Sequence, residues 1–423
     1  MKRIIGIILG ALIISSLILA GCSKSTPSPA QPAPAPTPAP APTPPAPTAP
    51  ATIKIGAMLS ITGPDAPTGV PAHFIFQYAI DEINRAGGVF VKEFNKKIPL
   101  EIILRDNQTD PEKTMAAAEQ LNADGVSVVI GTTLAGISGG IFEKNKLTLL
   151  VSQFDAVAPT RQGLKYFFDT SKLNSGTSAA IFQLVASLPK EQVPTKWAFF
   201  EEQADWVAEL ASFMKDDAAK LGIEFSYAGK YQMLAPDYSQ LILGAKNSGA
   251  EVLVAAPVPP DAIAMLKQMQ QLNYHPKAII FFRAIGDPTW ANLGALGDYI
   301  IGSSEWDTHL APNDPTVQTL ITAWHNKAGE KAQTGGIGPA YALVQIVAAA
   351  IEKSGTLDRT AIRDAIAAAD TDTVVGRVSF DEYGIRKDTA LVVQQWQNGV
   401  QYMVWPYGPG YDTKSVIWPR PTP

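Results

Sequence analysis

Residues 53–83 read IKIGAMLSITGPDAPTGVPAHFIFQYAIDEI, and this stretch decides the fold. Ile53, Ile55, Ala57 and Leu59 alternate with period two, as in a half-buried strand, whereas Ala72, Ile75, Phe76, Ala79, Ile80 and Ile83 recur at helical spacing. Between them, 60–71 is rich in Gly, Pro, Thr and Ser, the residues of turns. The stretch is therefore a β-then-α unit. Outward from it the pattern repeats. Strands are predicted at 100–104, 126–130, 147–151, 197–200, 252–255, 278–282 and 299–301, with helices between most of them. The helix after Asn107 carries its own start signals: Asp110 as cap, Pro111 in the first turn and Glu112 near the positive end of the helix dipole. Strands alternating with helices imply an α/β fold whose parallel sheets are covered on both faces.

Such sheets place ligand sites where loops converge at the carboxyl ends of the strands. The loops of interest are therefore 60–71, 131–136, 152–158, 201–206, 256–261 and 283–288.

The N-terminus adds an address. Met1-Lys2-Arg3 precedes an apolar run from Ile4 to Ala20, which is the pattern of a secretion signal in 1–21. A run of about 17 residues also reaches the lower limit for a retained bilayer span. Leu19-Ala20-Gly21-Cys22 favours cleavage and lipidation instead, because it matches the lipobox of bacterial lipoproteins, whose thiol at the cut site accepts diacylglycerol. Cys22 is the only cysteine, so the exported part has neither a disulfide nor a thiol nucleophile. Residues 27–50 are almost entirely Pro, Ala and Thr and cannot bury a core; 22–51 is read as an extended stalk. Removing 1–21 takes away Lys2 and Arg3 and no acid, which moves the net charge from −5 to −7 and argues against nucleic acid as a partner.

With these patterns in place, the chain resembles the periplasmic binding proteins of the branched-chain amino-acid type, the solute receptors of ABC importers. The segments that carry the resemblance are IKIGAMLSITGP at Ile53, AIDEINRAGGV at Ala79, RDNQTDPEKTMAAAEQL at Arg105, DGVSVVIG at Asp124 and VGRVSFDEYGIRKDTALVVQQW at Val375. The resemblance implies two Rossmann-like lobes, discontinuous in sequence and joined by a hinge of three crossings, within a domain of 52–404. One lobe would hold about 52–169 and 307–377, the other about 170–306 and 378–404, with 405–423 a C-terminal tail. It also implies a monomer that closes on a small molecule and hands it to an ABC permease, with no cofactor and no bond broken.

The resemblance places ligand contacts at positions where this sequence departs from the amino-acid-binding members. In those members hydroxyls and amides of the first lobe hold the carboxylate. Here the loop reads Gly131-Thr132-Thr133-Leu134-Ala135-Gly136, and the next offers Asp155 and Ala156. The second-lobe acid that holds the ammonium is replaced by Arg283, in Phe282-Arg283-Ala284. A guanidinium pairs with carboxylates and not with ammonium. The expected ligand is therefore an organic acid, aliphatic or aromatic, ahead of a branched-chain amino acid. Trp206 would cover it with a flat apolar face. Val258 and Pro259 would form a stiff apolar wall, and Thr68 would lie in a loop that closes over the ligand.

Rival readings are weaker. Gly136-Ile137-Ser138-Gly139-Gly140 matches the G-x-S-x-G pattern of a serine hydrolase, but Ser138 comes seven residues after the strand ends instead of on its turn. His73, His275, His309 and His325 show no paired metal-ligand spacing, so no metal is expected. Gly335-Gly336-Ile337-Gly338 lacks the Lys of a phosphate loop and reads as a helix entry. A sensor on the same fold, signalling to a membrane receptor, is the main alternative to import. Sensors of this shape usually carry a fused transmembrane or signalling segment, and none is read up to Pro423.

Overall fold

The structure, a computed structural model, describes residues 48–152, 163–171, 173–286, 288–330, 332, 334–387 and 391–421. The signal segment, Cys22 and the stalk up to residue 47 lie outside the described residues, as do Asp155 and Ala156.

Strand β1 (Ile53–Leu59) is followed by helix α1 (Ala66–Arg85), a short hairpin of β2 (Val89–Val91) and β3 (Lys96–Ile98), and β4 (Leu100–Asp106). Then come α2 (Pro111–Ala123), β5 (Val128–Gly131), α3 (Gly139–Lys144), β6 (Thr148–Val151) and β7 (Phe167–Asp169). Strands β4, β1, β5, β6 and β7 form, in that order, an all-parallel sheet. β1 is more buried than its alternation suggests: apart from Lys54 every residue is buried, because α1 covers one face while Met58 on the other packs with Leu121 and Phe142.

Helix α1 begins six residues earlier than the periodicity predicts, with Pro67 in its first turn and Pro71 inside it. Proline is tolerated in a first turn, whose N–H groups have no intrahelical acceptor. The early start also depends on Gly69, since a Cβ there would stand 2.1 Å from the Ser60 carbonyl oxygen. At α2 the expected cap is present: the Asp110 carboxylate accepts from the Lys113 N–H at 2.9 Å.

The chain then enters the second lobe through α4 (Asn174–Ser187) and alternates β8 (Lys196–Glu202), α5 (Asp205–Lys220), β9 (Glu224–Tyr231), α6 (Ser239–Asn247), β10 (Val252–Ala255), α7 (Pro259–Gln271), β11 (Ala278–Phe281) and β12 (Ile300–Ser304). It returns to the first core with α8 (Pro315–Ala328), α9 (Ile337–Ser354), α10 (Arg359–Ala367) and the hairpin β13 (Asp370–Thr373) and β14 (Gly376–Ser379). β15 (Val392–Gln397) and β16 (Val400–Trp405) complete a seven-stranded sheet of order β16-β15-β12-β11-β10-β8-β9. β15 and β16 are antiparallel, a departure from the expected parallel alternation. Their sequence hides them. β15 reads VVQQWQ, and the buried Gln394, Gln395 and Gln397 break its apolar pattern.

Those glutamines hold the C-terminal tail. Gln395 accepts from the Ile417 N–H at 2.8 Å and donates to the Ile417 carbonyl at 3.0 Å, and Gln397 donates to the Ser415 carbonyl at 3.0 Å. Trp418 then reaches the core, buried against Trp197 at 6.4 Å between ring centroids, with its indole N–H on the Gln192 carbonyl.

The crossings between the lobes are laced together. Asp169 donates its N–H to the Gly384 carbonyl at 2.8 Å and accepts from the Arg386 N–H at 2.9 Å. Gly384 (φ +77°) cannot be replaced cheaply, because a Cβ would meet the Phe167 carbonyl oxygen at 2.4 Å. At the second crossing the buried Asp307 accepts from the Gln394 amide at 2.6 Å and bonds the His309 ring nitrogen Nδ1 at 2.5 Å, while Asp412 of the tail lies 4.0 Å from Nε2. The hydrogen bond to Asp307 raises the His309 pKa, burial opposes it, and the charges of Asp307 and Asp412 add to the rise. A histidine whose native pKa exceeds its unfolded value of about 6.5 stabilises fully below that value and loses its contribution as pH climbs through the native pKa. Unfolding stability should therefore fall above pH ~6.5 in the wild type and less so in His309→Gln. Urea titrations across pH 5.5–8.5 check this; parallel curves for the two proteins would contradict it.

Candidate functional site

The carboxyl ends of the parallel strands converge as the alternation predicts, and each lobe presents a distinct surface there. In the first lobe, β1 and β4 end on a polar network. The Ser60 hydroxyl donates to Asn107 at 2.6 Å, and Asp106 accepts from the Thr62 hydroxyl at 2.6 Å and from the Gln108 N–H at 2.9 Å. Partial burial pulls the Asp106 pKa up, but the hydrogen bonds from Thr62 and three backbone amides outweigh it and hold the carboxyl below its usual range. The network fixes the 60–65 loop. Thr68 does not lie in that loop but in the first turn of α1, half-buried, with its N–H on the Asp65 carbonyl at 3.0 Å.

After β5, Thr132 is buried (2% exposed) and Leu134 half-buried. Thr133, Leu134, Ala135 and Gly136 lie in the 3-10 turn Thr133–Ser138 that leads into α3. Ser138 is fully buried at the N-cap position of α3, away from any strand-to-helix elbow. Gly336 is likewise the N-cap of α9, the helix entry expected of its glycines. Among the described residues no group of three or more His, Cys, Asp or Glu could hold a metal ion.

The second lobe holds the strongest electrostatic feature. Glu202 ends β8, Ala256 follows β10, Arg283 follows β11, and Trp206 stands in the first turn of α5. β10 lies between β8 and β11, so a side chain from the end of β11 can span to β8. Arg283 does so. Its Nε donates to the Ala256 carbonyl at 2.8 Å, its Nη2 pairs with Glu202, and its guanidinium carbon sits 5.0 Å from the centre of the Trp206 ring. The Glu202 side chain is only 7% exposed, that of Arg283 30%. Burial raises the Glu202 pKa; the charge and hydrogen bond of Arg283 pull it back, and Asp261 adds to the rise. Val258 caps α7 and Pro259 starts it, both half-buried beside these groups in sequence.

The structure thus brings Trp206 and Arg283 together. It also adds Glu202, which sequence reasoning missed. The resemblance places an acid in the loop after β11, whereas the acid stands at the end of β8, 81 residues away, and only the sheet order joins them. Among the described residues no hydrogen bond links Thr68, Thr132 or Leu134 to Trp206, Val258, Pro259 or Arg283. A separate groove of about 480 Å³ flanks the first and third crossings, between Asn174, Glu209, Phe213, Asp381 and Tyr383. None of the strand-end residues lines it. The strand ends carry convergent charges and donors of the kind that orient small ligands, so they remain the candidate site.

Known proteins share this plan. A model of the periplasmic binding protein family matches residues 52–401. The Leu-, Ile-, Val-, Thr- and Ala-binding protein of Pseudomonas aeruginosa is 25% identical over 349 residues, covering 82% of this chain and 90% of its own. A branched-chain amino acid transporter substrate-binding protein from Streptococcus pneumoniae, solved with isoleucine, superposes with a TM-score of 0.72 at 19% identity, covering 87% of this chain and 100% of that one. A solute-binding protein from Rhodopseudomonas palustris, solved with 3,4-dihydroxybenzoic acid, superposes at 0.66 and 19% identity, covering 81% of this chain and 93% of that one. With a family model spanning most of its length and the two-lobed architecture in place, the chain belongs to the periplasmic binding protein family, whose members are extracytoplasmic and bind small molecules without acting as enzymes.

Proposed function

We propose that this receptor captures a small organic carboxylate, aliphatic or aromatic, for import. The observation that carries the reading is Arg283: a guanidinium at a strand end, backed by an indole and 30% exposed, with its Nη1 edge engaged by no acceptor among the described residues. A planar, permanently charged donor pair of this kind suits a carboxylate and repels an ammonium. The aromatic acid bound by the Rhodopseudomonas palustris structure supports the ligand class.

In this reading the ligand is held from the first lobe by Thr68, Thr132 and the Thr133, Leu134, Ala135, Gly136 turn, with Asp155 and Ala156 beside them. From the second lobe it is held by Trp206, Val258, Pro259 and Arg283. The lobes part near residues 169 and 307 and again after Arg377, and they close as a hinge on the bound ligand. Lipid on Cys22 and the Pro-rich stalk keep the monomer near its permease at high effective concentration.

Glu202 favours a second reading, a branched-chain amino acid. A buried carboxylate on the same wall is the group that would hold an ammonium, and the Pseudomonas aeruginosa relative is named for binding such amino acids. A thermal-shift screen separates the two. Benzoate, 4-hydroxybenzoate and 4-methyl-2-oxopentanoate are expected to raise the melting temperature of the wild type, with leucine, isoleucine and valine leaving it unchanged. A clear shift with leucine or valine and none with the acids would overturn the carboxylate reading.

A further inference from the structure

Arg283 would be a mobile, solvated side chain were it not held on several sides. Its Nε is committed to the Ala256 carbonyl at 2.8 Å, its Nη2 to Glu202, and its guanidinium carbon lies over the Trp206 ring at 5.0 Å. Each contact comes from a different element: the end of β10, the end of β8 and the start of α5. Of these only Glu202 brings charge. Its burial makes it a costly residue to leave unpaired, and its backbone lies in register opposite Tyr231 of β9, whose side chain is also buried. Asp261, the other buried acid nearby, is committed elsewhere: both of its oxygens accept the Leu234 N–H, at 3.0 and 3.1 Å.

We propose that Glu202 is the specificity-determining positioning residue of this wall: it holds the Arg283 guanidinium over Trp206 through Nη2 while Nε is tied to Ala256, leaving Nη1 for a ligand, and in doing so its own carboxylate is withdrawn from ligands. One ion pair thereby sets both halves of the selectivity. The Nη1 N–H groups donate to a carboxylate, and the acid that would attract an ammonium is masked. The inference rests on the carboxylate reading for its ligand but not for its geometry.

The test uses the full exported chain with two kinds of readout. The first needs no ligand. The ¹⁵N signals of the Arg283 side chain should show two resolved, slowly exchanging Nη sites in the wild type, merging in Glu202→Ala as the guanidinium is released. Sites that stay resolved in Glu202→Ala would overturn the positioning role. The second readout compares leucine with 4-methyl-2-oxopentanoate, the same skeleton bearing a keto oxygen in place of the ammonium. Arg283→Met should unmask Glu202 and strengthen leucine binding about tenfold or more, a gain absent from the double variant Arg283→Met/Glu202→Gln. Equal leucine affinity in the single and double variants would overturn the masking role. A wild type that ignores the keto acid and benzoate would count against the carboxylate reading alone, because the ¹⁵N signals still decide the role of Glu202.

Discussion

Arg283→Met should weaken capture of the cognate carboxylate about ten- to a hundredfold, equivalent to roughly 1.5–3 kcal/mol for a hydrogen bond to a charged group. Methionine keeps an unbranched apolar stem against Trp206 while removing every donor, so the loss reads the guanidinium and not the packing. The variant leaves Glu202 buried without its counter-charge. With the opposing pull of Arg283 gone, burial moves the Glu202 pKa further up. Isothermal titration with the acid that gives the largest thermal shift measures the effect. Unchanged affinity would confine Arg283 to pairing with Glu202 and take it out of the ligand site.

Trp418→Ala should lower the stability of the second lobe by about 3 kcal/mol, the lower end for removing a buried large aromatic. The indole is 8% exposed, lies against Trp197, and donates to the Gln192 carbonyl at 3.0 Å. Trp197 is itself fully buried and stacked on Phe182 at 5.4 Å, so the lost ring opens a cavity lined by stiff aromatics that cannot collapse into it. Tail residues 415–417 should come loose in the same variant, since their anchors to Gln395 and Gln397 no longer end on a buried side chain. Urea unfolding followed by tryptophan fluorescence reads the first effect, and hydrogen exchange at Ile417 the second. A midpoint equal to that of the wild type would show that the tail lies on the lobe without supporting it.

The two variants probe different distances between sequence and structure. Residues 405–423 read as a C-terminal tail; they carry neither alternation nor helical spacing and are dense in Pro, Gly, Tyr and Trp. Its order comes from single long-range bonds to buried glutamines, and such bonds leave no periodic trace in a sequence. The same glutamines disguised β15. The edge strand β9 has only one buried residue, Tyr231, so its sequence offers no apolar run.

What the sequence determined by itself was everything that depends on neighbours along the chain. Alternation in 53–59 and helical spacing in 72–83 made the first β-then-α unit; Asp110, Pro111 and Glu112 started α2; and the repeated unit required parallel sheets. The motif segments from Ile53 to Trp396 carried the family. Tertiary structure alone decided which charges meet. Arg283 is legible as a guanidinium in a strand-end loop, but its partner is set by the β11-β10-β8 order, which places Glu202 within reach. The reason is physical: backbone pattern is encoded over a few residues, whereas an ion pair between strand ends depends on sheet order, and sheet order is fixed by how whole helices pack across both faces.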